Sequence, residues 1–125
     1  MDAARHAAAH AYAPYSKFRV GAALLFDDGS VVTGCNVENM SYGLTSCAER
    51  NALFRAISAS GASRKIVAIA VTNLNGQPSP PCGACRQVLS EFVAPDAMIS
   101  FPGDDGLVAL PFNQVFPFSF HLRRL

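Results

Sequence analysis

Apolar and polar stretches alternate along the chain in a way that predicts several short strands. Residues 19–26 and 31–37 are largely apolar and are separated by the turn-forming letters DDGS, which predicts a β-hairpin. Residues 65–73 form a β-branched apolar run, typical of a strand buried on both faces. Two further strands are expected at 97–101 and 107–110, on either side of the turn PGDDG.

Three other segments have the composition of helices. The alanine-rich residues 2–12 predict a first helix that stops before Pro14, because proline disfavours helical backbone at the preceding residue. A second helix is expected to begin at Ser46 as its N-cap and to end before Gly61. Residues 86–93, RQVLSEFV, predict a third helix with one apolar side.

The order of these elements predicts an α/β fold. A hairpin followed by helix, strand, helix and strand favours a mixed sheet of about five strands with helices on both faces, because parallel crossovers place helices there. No repeat or linker interrupts the sequence, so residues 1–125 are interpreted as one domain. Half of the residues are hydrophobic, enough for a single core. The phenylalanine-rich residues 111–125 match no element pattern.

Charge and cysteine usage narrow the class of partner. The net charge of +1, with 15% charged residues, gives no basic field for nucleic acid, so a small, nearly neutral ligand is expected. Asp2, Arg5 and His6 interrupt the apolar stretch that a signal peptide needs, and no run approaches the ~18 apolar residues of a membrane span. We therefore expect a cytoplasmic protein, whose four cysteines act as metal ligands or reactive thiols rather than disulfides.

Three of the cysteines have spacings that suit a metal site. Cys82 and Cys85 form a C-x-x-C pair, which by itself fits a redox pair, half of a structural zinc site or part of a catalytic one. Together with Cys47 they would supply three thiolates and leave one position open, as a catalytic zinc requires. Both motifs stand at predicted helix starts, where the helix dipole lowers thiol pKa values. The histidines lie in terminal segments without metal-finger spacing: His6, His10 and His121.

Glu49 follows Cys47 by two residues and allows two interpretations. Ser46 and Glu49 match a capping box, in which the glutamate would only bind the Ser46 N–H. Alternatively, the carboxylate serves as the acid and base beside a metal-activated water molecule. The sequence C-A-E followed by P-C-G-A-C favours the second, since C-x-E with P-C-x-x-C is the signature of zinc-dependent base deaminases in its three-cysteine form.

The chain resembles cytidine deaminases of the small, homotetrameric, three-cysteine type. The resemblance lies in three ordered blocks, YAPYSKFRVGAALL, GCNVENMSYGLTSCAERNAL and SPPCGACRQVLSEF. It implies a three-layer α/β/α sandwich and the zinc-dependent hydrolytic deamination of cytidine and deoxycytidine to uridine and deoxyuridine in pyrimidine salvage. It also implies one Zn²⁺ per chain bound by Cys47, Cys82 and Cys85, with Glu49 transferring protons.

The same resemblance assigns contacts to the nucleoside. Phe18 would pack against the pyrimidine, Asn36 and Glu38 would bind a ribose hydroxyl, and the backbone near Ala48 would read the base. Asn36 and Glu38 also flank Val37 with the spacing of two residues on one face of a strand, which suits a polyol. Without the motif, Phe18 would be read as core.

Residues at the edge of the expected site come from the resemblance as well. In this family neighbouring subunits complete each site, and Tyr42 and Phe120 match that role, although the tail reads QVFPFSF where the family pattern is LLPxxF. Arg50 resembles a residue that donates hydrogen bonds to the ligand sulfurs. Three thiolates on Zn²⁺ carry a net charge of −1, which such an arginine would offset. A surface arginine is the alternative.

Three other functions stay open at this point. A deaminase acting on polynucleotides would need a basic groove and aromatic stacking platforms, which the charge and the absence of tryptophan do not supply. A deaminase of a cytosine-containing antibiotic such as blasticidin S would share the scaffold, but Asn36 and Glu38 favour a ribose. A zinc-stabilised module without activity would leave Glu49 unexplained.

Overall fold

Five strands form one mixed sheet in the order β2-β1-β3-β4-β5 in the computed structural model, which describes residues 1–120. The strands are β1 (Val20–Phe26), β2 (Val31–Cys35), β3 (Ile66–Asn73), β4 (Val93–Gly103) and β5 (Gly106–Pro111). Strands β3 and β4 pair in parallel, whereas β1 runs antiparallel to both β2 and β3, and β5 antiparallel to β4. His121 lies outside the described residues.

Within residues 1–120, four helices and one short 3-10 turn accompany the sheet. They are α1 (Asp2–Ala8), α2 (Ala48–Ser60), α3 (Gly83–Ser90) and α4 (Phe112–Val115), with the 3-10 turn at Tyr42–Leu44. Helix α3 forms the crossover between the parallel strands β3 and β4. The predicted α/β fold with a mixed five-stranded sheet is confirmed.

Two glycines show that α1 and α2 lie on opposite faces of the sheet. Gly34 of β2 pairs with Ala22 of β1, one residue beyond Gly21, and successive strand residues face opposite sides. A Cβ atom at Gly21 would lie 1.9 Å from the Ala4 carbonyl oxygen of α1. A Cβ atom at Gly34 would lie 2.4 Å from the Ala52 nitrogen of α2. At these two positions the helix backbone therefore lies so close to the strand that no side chain fits between them.

The main hydrophobic core lies between the sheet and the helices α2, α3 and α4. Alternate residues of β1, namely Ala22, Leu24 and Phe26, point into it, as the period of two for a strand requires. The other core side chains are Ala48, Ala52, Leu53, Ala56, Ile66, Ile69, Val71, Leu89, Ala97, Ile99, Phe101 and Phe112. On the opposite face, α1 buries Ala4 and Ala8 completely.

The first helix is shorter than predicted. It ends at Ala8 rather than at residue 12, because Tyr12 pairs instead with the chain that leaves β2. The Tyr12 N–H donates to the Asn36 carbonyl at 3.0 Å, and the Glu38 N–H donates to the Tyr12 carbonyl at 2.8 Å. This strand-like pairing competes with helix for the same backbone groups.

The boundaries of the other elements differ by a few residues. Helix α2 begins with Cys47, not Ser46, as its N-cap, and its predicted stop at Gly61 is confirmed. Helix α3 begins at Gly83, one turn earlier than predicted, because Cys82 caps it. Strand β4 is longer than the predicted residues 97–101 and contains a register irregularity opposite β3. Within residues 1–120, no helix has both the length and the apolar content that crossing a membrane demands.

The contact at Gly34 leads to a stability prediction. Gly34→Ala should lower the free energy of unfolding by about 1–3 kcal/mol, because the new methyl group meets backbone atoms of α2 that cannot rotate away. Gly43→Ala is the matched control, since nothing lies within 4 Å of the added atom. Urea denaturation of the two variants measures the difference. Equal stability of both would contradict the close approach of α2 to β2.

Candidate metal centre and adjoining cavity

The strand directions bring the predicted site residues to one edge of the sheet. Strand β1 lies between β2 and β3 and runs opposite to both, so β2 and β3 end where β1 begins. Helix α2 starts beyond the end of β2, and helix α3 starts beyond the end of β3. The carboxyl edge of an α/β sheet is a common place for ligands for this reason.

Three cysteine sulfurs meet at this edge. Cys47 is the N-cap of α2, Cys82 is the N-cap of α3, and Cys85 lies in the first turn of α3. The sulfurs all lie within 4.8 Å of one another, with 3.9 Å between Cys47 and Cys82 and 3.2 Å between Cys82 and Cys85. No histidine of residues 1–120 belongs to this cluster. The fourth cysteine, Cys35, is not part of it either.

The donor set fits a zinc ion. Tetrahedral zinc with Zn–S bonds of ~2.3 Å places its sulfur ligands about 3.8 Å apart. The Cys47–Cys82 separation already matches that value, and the Cys82–Cys85 pair needs to open by about half an ångström, which a side-chain rotation supplies. Three sulfurs leave one of the four positions for another ligand.

Arg50 and the neighbouring cysteines shift the pKa values of the cluster thiols. The Arg50 Nη2 donates to the Cys47 sulfur at 3.3 Å. A hydrogen bond from the Cys85 thiol, together with Arg50, lowers the pKa of Cys47 to about 5. The same hydrogen bond, together with burial, raises the pKa of Cys85. The Arg50 Nε is buried and has no hydrogen-bond partner within residues 1–120. Arg50 is therefore a contact of the cluster, not a surface residue.

Glu49 lies beside the sulfur cluster and is almost fully buried, with 4% of its surface exposed. Burial raises the pKa of its carboxyl group, while hydrogen bonds from its own backbone N–H and from Cys85 act in the opposite direction. The capping box is not formed, because the Ser46 N–H donates to the Val37 carbonyl at 2.9 Å. The Ser46 hydroxyl donates to Asn51 Oδ1 at 2.6 Å. The interpretation of Ser46 as N-cap was wrong.

A cavity of about 340 Å³ opens next to Glu49. Its volume falls in the range of small-molecule pockets, which begins at about 300 Å³. The lining residues are Phe18, Val20, Asn36, Thr45, Cys47, Ala48, Glu49, Val71, Pro78, Ser79, Pro80 and Cys82. The structure thus brings together most of the predicted residues in one place. A second cavity, of about 590 Å³, adjoins α1 and the β4–β5 turn and contains no cysteine.

Asn36 and Glu38 lie in different surroundings. The Asn36 Nδ2 donates to the Phe18 carbonyl at 2.8 Å, and its Oδ1 accepts from the Val20 N–H at 2.9 Å. Glu38 accepts hydrogen bonds from the Tyr15 N–H, and from the N–H and hydroxyl of Ser16. Among the described residues, the cavity lining includes Asn36 but not Glu38. Glu38 therefore holds the turn next to the cavity.

Tyr42 and Phe120 lie outside the cavity and are mostly exposed, by 75% and 68%. The Tyr42 ring contacts the Tyr15 ring edge-on, with 6.3 Å between centroids. The Phe120 carbonyl accepts a hydrogen bond from Gln87 Nε2 at 2.8 Å, which ties the end of the described chain to α3.

Part of the cavity wall was not expected from the sequence. Ser79 is buried, accepts a hydrogen bond from Asn73 Nδ2 at 2.9 Å, and donates its N–H to the Pro102 carbonyl at 2.9 Å. Thr45 and Pro80 also line the wall. The proline-rich run before Cys82 was a signal for Ser79 and Pro80, because such a loop must pass close to the first ligand of α3.

Comparison with known proteins agrees with the resemblance seen in the sequence. Residues 1–100 match the family model of the cytidine and deoxycytidylate deaminase zinc-binding region. Cytidine deaminase from Halalkalibacterium halodurans is 58% identical over 89 residues, which are 71% of this chain and 66% of that protein. Cytidine deaminase from Mycobacterium tuberculosis is 54% identical over 99 residues, which are 79% of this chain and 73% of that protein.

Solved structures match over nearly the whole chain. The crystal structure of cytidine deaminase from Burkholderia pseudomallei has a TM-score of 0.85 at 45% identity and covers 95% of this chain and 94% of that chain. The structure of cytidine deaminase from Mycobacterium tuberculosis has a TM-score of 0.83 at 44% identity and covers 97% and 94%.

The protonation of the cysteines predicts how metal uptake depends on pH. The raised pKa of Cys85 means that the metal-free cluster keeps a proton that zinc must displace. Zinc affinity should therefore fall as pH falls, and more steeply near pH 5, where Cys47 also becomes protonated. Calorimetric titration in buffers of different ionisation enthalpy counts the protons released. Zinc affinity that does not change with pH would contradict the ligand set.

The ligand set can also be tested by mutation. Cys82→Ser should lose the metal, whereas Cys35→Ser should keep it.

Proposed function

The chain belongs to the cytidine and deoxycytidylate deaminase family, and on that premise we propose that it deaminates cytidine and deoxycytidine to uridine and deoxyuridine. One observation carries the proposal. The three-cysteine cluster and the buried carboxyl of Glu49 adjoin one cavity of nucleoside-accepting size. A metal site for structure alone would have no use for the cavity or for a buried acid beside it.

The residues present fit one zinc ion per chain. Cys47, Cys82 and Cys85 would hold it, and when bound it supplies the Lewis acidity that activates water. Arg50 would withdraw negative charge from the sulfurs, since its guanidinium donates to Cys47. The buried Nε of Arg50 has no hydrogen-bond partner within residues 1–120.

Glu49 would move the protons. Burial raises the pKa of the Glu49 carboxyl, which makes it a stronger base towards water, and a carboxyl can return the proton that it has accepted, as a general acid and base must. Glu49 would take a proton from water as the C4–O bond forms, and deliver it to N3 of the cytosine. It would then take the remaining proton from the hydroxyl group on C4, which becomes the carbonyl, and pass it to the amino group as the C4–N bond breaks and ammonia leaves. The carboxylate ends each cycle in its starting state.

The cavity walls suggest how the nucleoside is held. Phe18 would pack against the pyrimidine, and the backbone at Ala48, at the start of α2, would bind the base, since the first N–H groups of a helix lack partners within the helix. Asn36 would bind the ribose with the hydrogen-bonding capacity left after its contacts to Phe18 and Val20. Glu38 would reach the ribose from the adjoining turn.

We further infer a homotetramer in which neighbouring subunits complete each site. The loop that carries Tyr42 exposes three large apolar side chains, with Met40, Tyr42 and Leu44 exposed by 80%, 75% and 71%. Such a group on a monomer's surface is typical of an interaction site. Tyr42 and Phe120, which lie outside their own cavity, would reach into a neighbour's cavity.

The remaining context follows from charge and thiols. The chain, as one catalytic domain over residues 1–125, would act on free nucleosides rather than polynucleotides, since a net charge of +1 gives little attraction to a phosphate backbone. All four cysteines are free, which suits the reducing cytoplasm and a role in pyrimidine salvage there.

Glu49→Gln tests the proposed function. The amide keeps the size of the side chain but cannot transfer protons, so turnover of cytidine should fall by at least ~100-fold while zinc content and nucleoside binding persist. Glu91→Gln, at the end of α3, is the matched control and should keep full activity. Ultraviolet absorbance follows cytidine conversion, and metal analysis measures zinc. Substantial deamination by the Glu49 variant would remove this residue from the mechanism.

Sedimentation velocity tests the assembly. The wild-type chain should sediment as four chains, and Tyr42→Asp should shift it to smaller species because a charge would be buried at the interface. Ala62→Asp, at an exposed position just after α2, adds the same charge as the charge-changing control and should keep the assembly. A monomeric wild type with full activity would show that one chain forms a complete site.

A further inference from the structure

The side chain of Asn75 binds the main chain on both sides of Phe18, the residue that is expected to contact the base. Its Oδ1 accepts a hydrogen bond from the Arg19 N–H at 3.0 Å, and its Nδ2 donates to the Lys17 carbonyl at 2.9 Å. Phe18 lies between these two residues. The side-chain amide thus pairs with the main chain on both sides of Phe18 in the manner of a peptide group in a neighbouring strand.

The segment around Phe18 needs such support because regular pairing ends before it. Strand β1 begins at Val20, and the last backbone hydrogen bond to the neighbouring chain runs from the Leu74 N–H to the Arg19 carbonyl at 3.1 Å. Lys17 has a φ of 63°, a left-handed conformation that a lysine seldom adopts. Side chains, and not the sheet, therefore determine where the Phe18 ring lies.

Two asparagine side chains hold the segment around Phe18, one from the β2 side and one from the β3 side. Asn36, beyond the end of β2, binds the Phe18 carbonyl, and Asn75, beyond the end of β3, binds the residues next to Phe18. Because β2 and β3 flank β1, the two side-chain amides continue the sheet where its backbone ladder has ended. Asn36 also lines the cavity, whereas Asn75 does not.

Asn75 is itself held by a buried neighbour. Asn73 Oδ1 accepts from the N–H groups of Asn75 and Gln77 at 2.9 and 3.3 Å, and Asn73 has only 5% of its surface exposed. Asn73 Nδ2 donates to the hydroxyl of Ser79, which also lines the cavity. One loop, residues 73–79, thus connects Phe18 to the wall that precedes Cys82.

We propose that Asn75 is a positioning residue that fixes Phe18 at the base-binding end of the cavity and so determines substrate affinity. The proposal rests on the proposed function, in which Phe18 packs against the pyrimidine. Asn75 touches neither the cysteines nor Glu49 through any contact in residues 1–120, so proton transfer should not depend on it.

Asn75→Ala is the first test. It should raise KM for cytidine by about fivefold to tenfold, the effect of one or two lost hydrogen bonds, with kcat within about twofold and zinc content unchanged. Gln77→Ala is the matched control in the same loop, because Gln77 contributes main-chain groups to the hydrogen bonds there; its KM should stay at the wild-type value. An unchanged KM for Asn75→Ala in an active wild-type background overturns the proposal.

A double-mutant cycle separates positioning from general weakening of the fold. If Asn75 acts through Phe18, then Asn75→Ala should add less than about a twofold rise in KM to the Phe18→Ala variant. Additive effects would show that Asn75 acts elsewhere and would overturn the proposal. Should Asn75→Ala not fold, Asn75→Asp replaces it, since it keeps the side-chain size but loses the donor to the Lys17 carbonyl, and its KM must rise.

Binding without turnover gives an independent measurement. In the Glu49→Gln background, Asn75→Ala should raise the Kd of cytidine, measured by calorimetry, by the same factor by which it raises KM. A wild-type chain that does not deaminate cytidine would contradict the proposed function. Wild-type deamination with an unaltered Kd in the Asn75 variant would contradict this inference alone.

Discussion

The convergence of two helix N-termini on one point is the constraint from which the rest of the site follows. Helices α2 and α3 both start at the edge where β2 and β3 end, so their first turns place Cys47, Cys82 and Cys85 within one ligand sphere. The Cys47 thiolate is stabilised there, because Arg50 donates a hydrogen bond to its sulfur and the N-terminus of α2 carries partial positive charge. The sheet order, rather than any local motif, determines that the two helices begin side by side.

The same geometry explains why an acid can be buried next to three sulfurs. Glu49 lies in the first turn of α2, two residues after the N-cap Cys47, and its alternative partner, the Ser46 N–H, is already bound to the Val37 carbonyl. A buried carboxyl near thiolates is driven towards its neutral form. Burial therefore makes Glu49 a stronger base than a solvent-exposed carboxylate, at the place where the proposed chemistry needs a proton acceptor.

Much of the fold and of the metal site could be predicted from the sequence, because residues close together in the chain determine them. The turn DDGS, the glycine after α2 and the C-x-E and C-x-x-C spacings each determine a structure within a few residues, and the strand and helix types followed. Boundaries were less predictable where long-range contacts compete, as at Tyr12, whose pairing with Asn36 ends α1 early. The position of Glu38, which binds Ser16, depends on a partner distant in sequence, and no pattern in one sequence reports it.

The contact between Gly34 and α2 has a consequence for how this protein can vary. The helix that carries Cys47 and Glu49 rests on a strand position that has no side chain at all, with the Ala48 carbonyl and the Ala52 nitrogen directly above it. Any larger residue would push the helix outward and carry the acid and one sulfur with it. Chemistry at the edge of the sheet thus imposes glycine at a position that never meets the substrate, and libraries that aim at new specificity should leave that codon untouched.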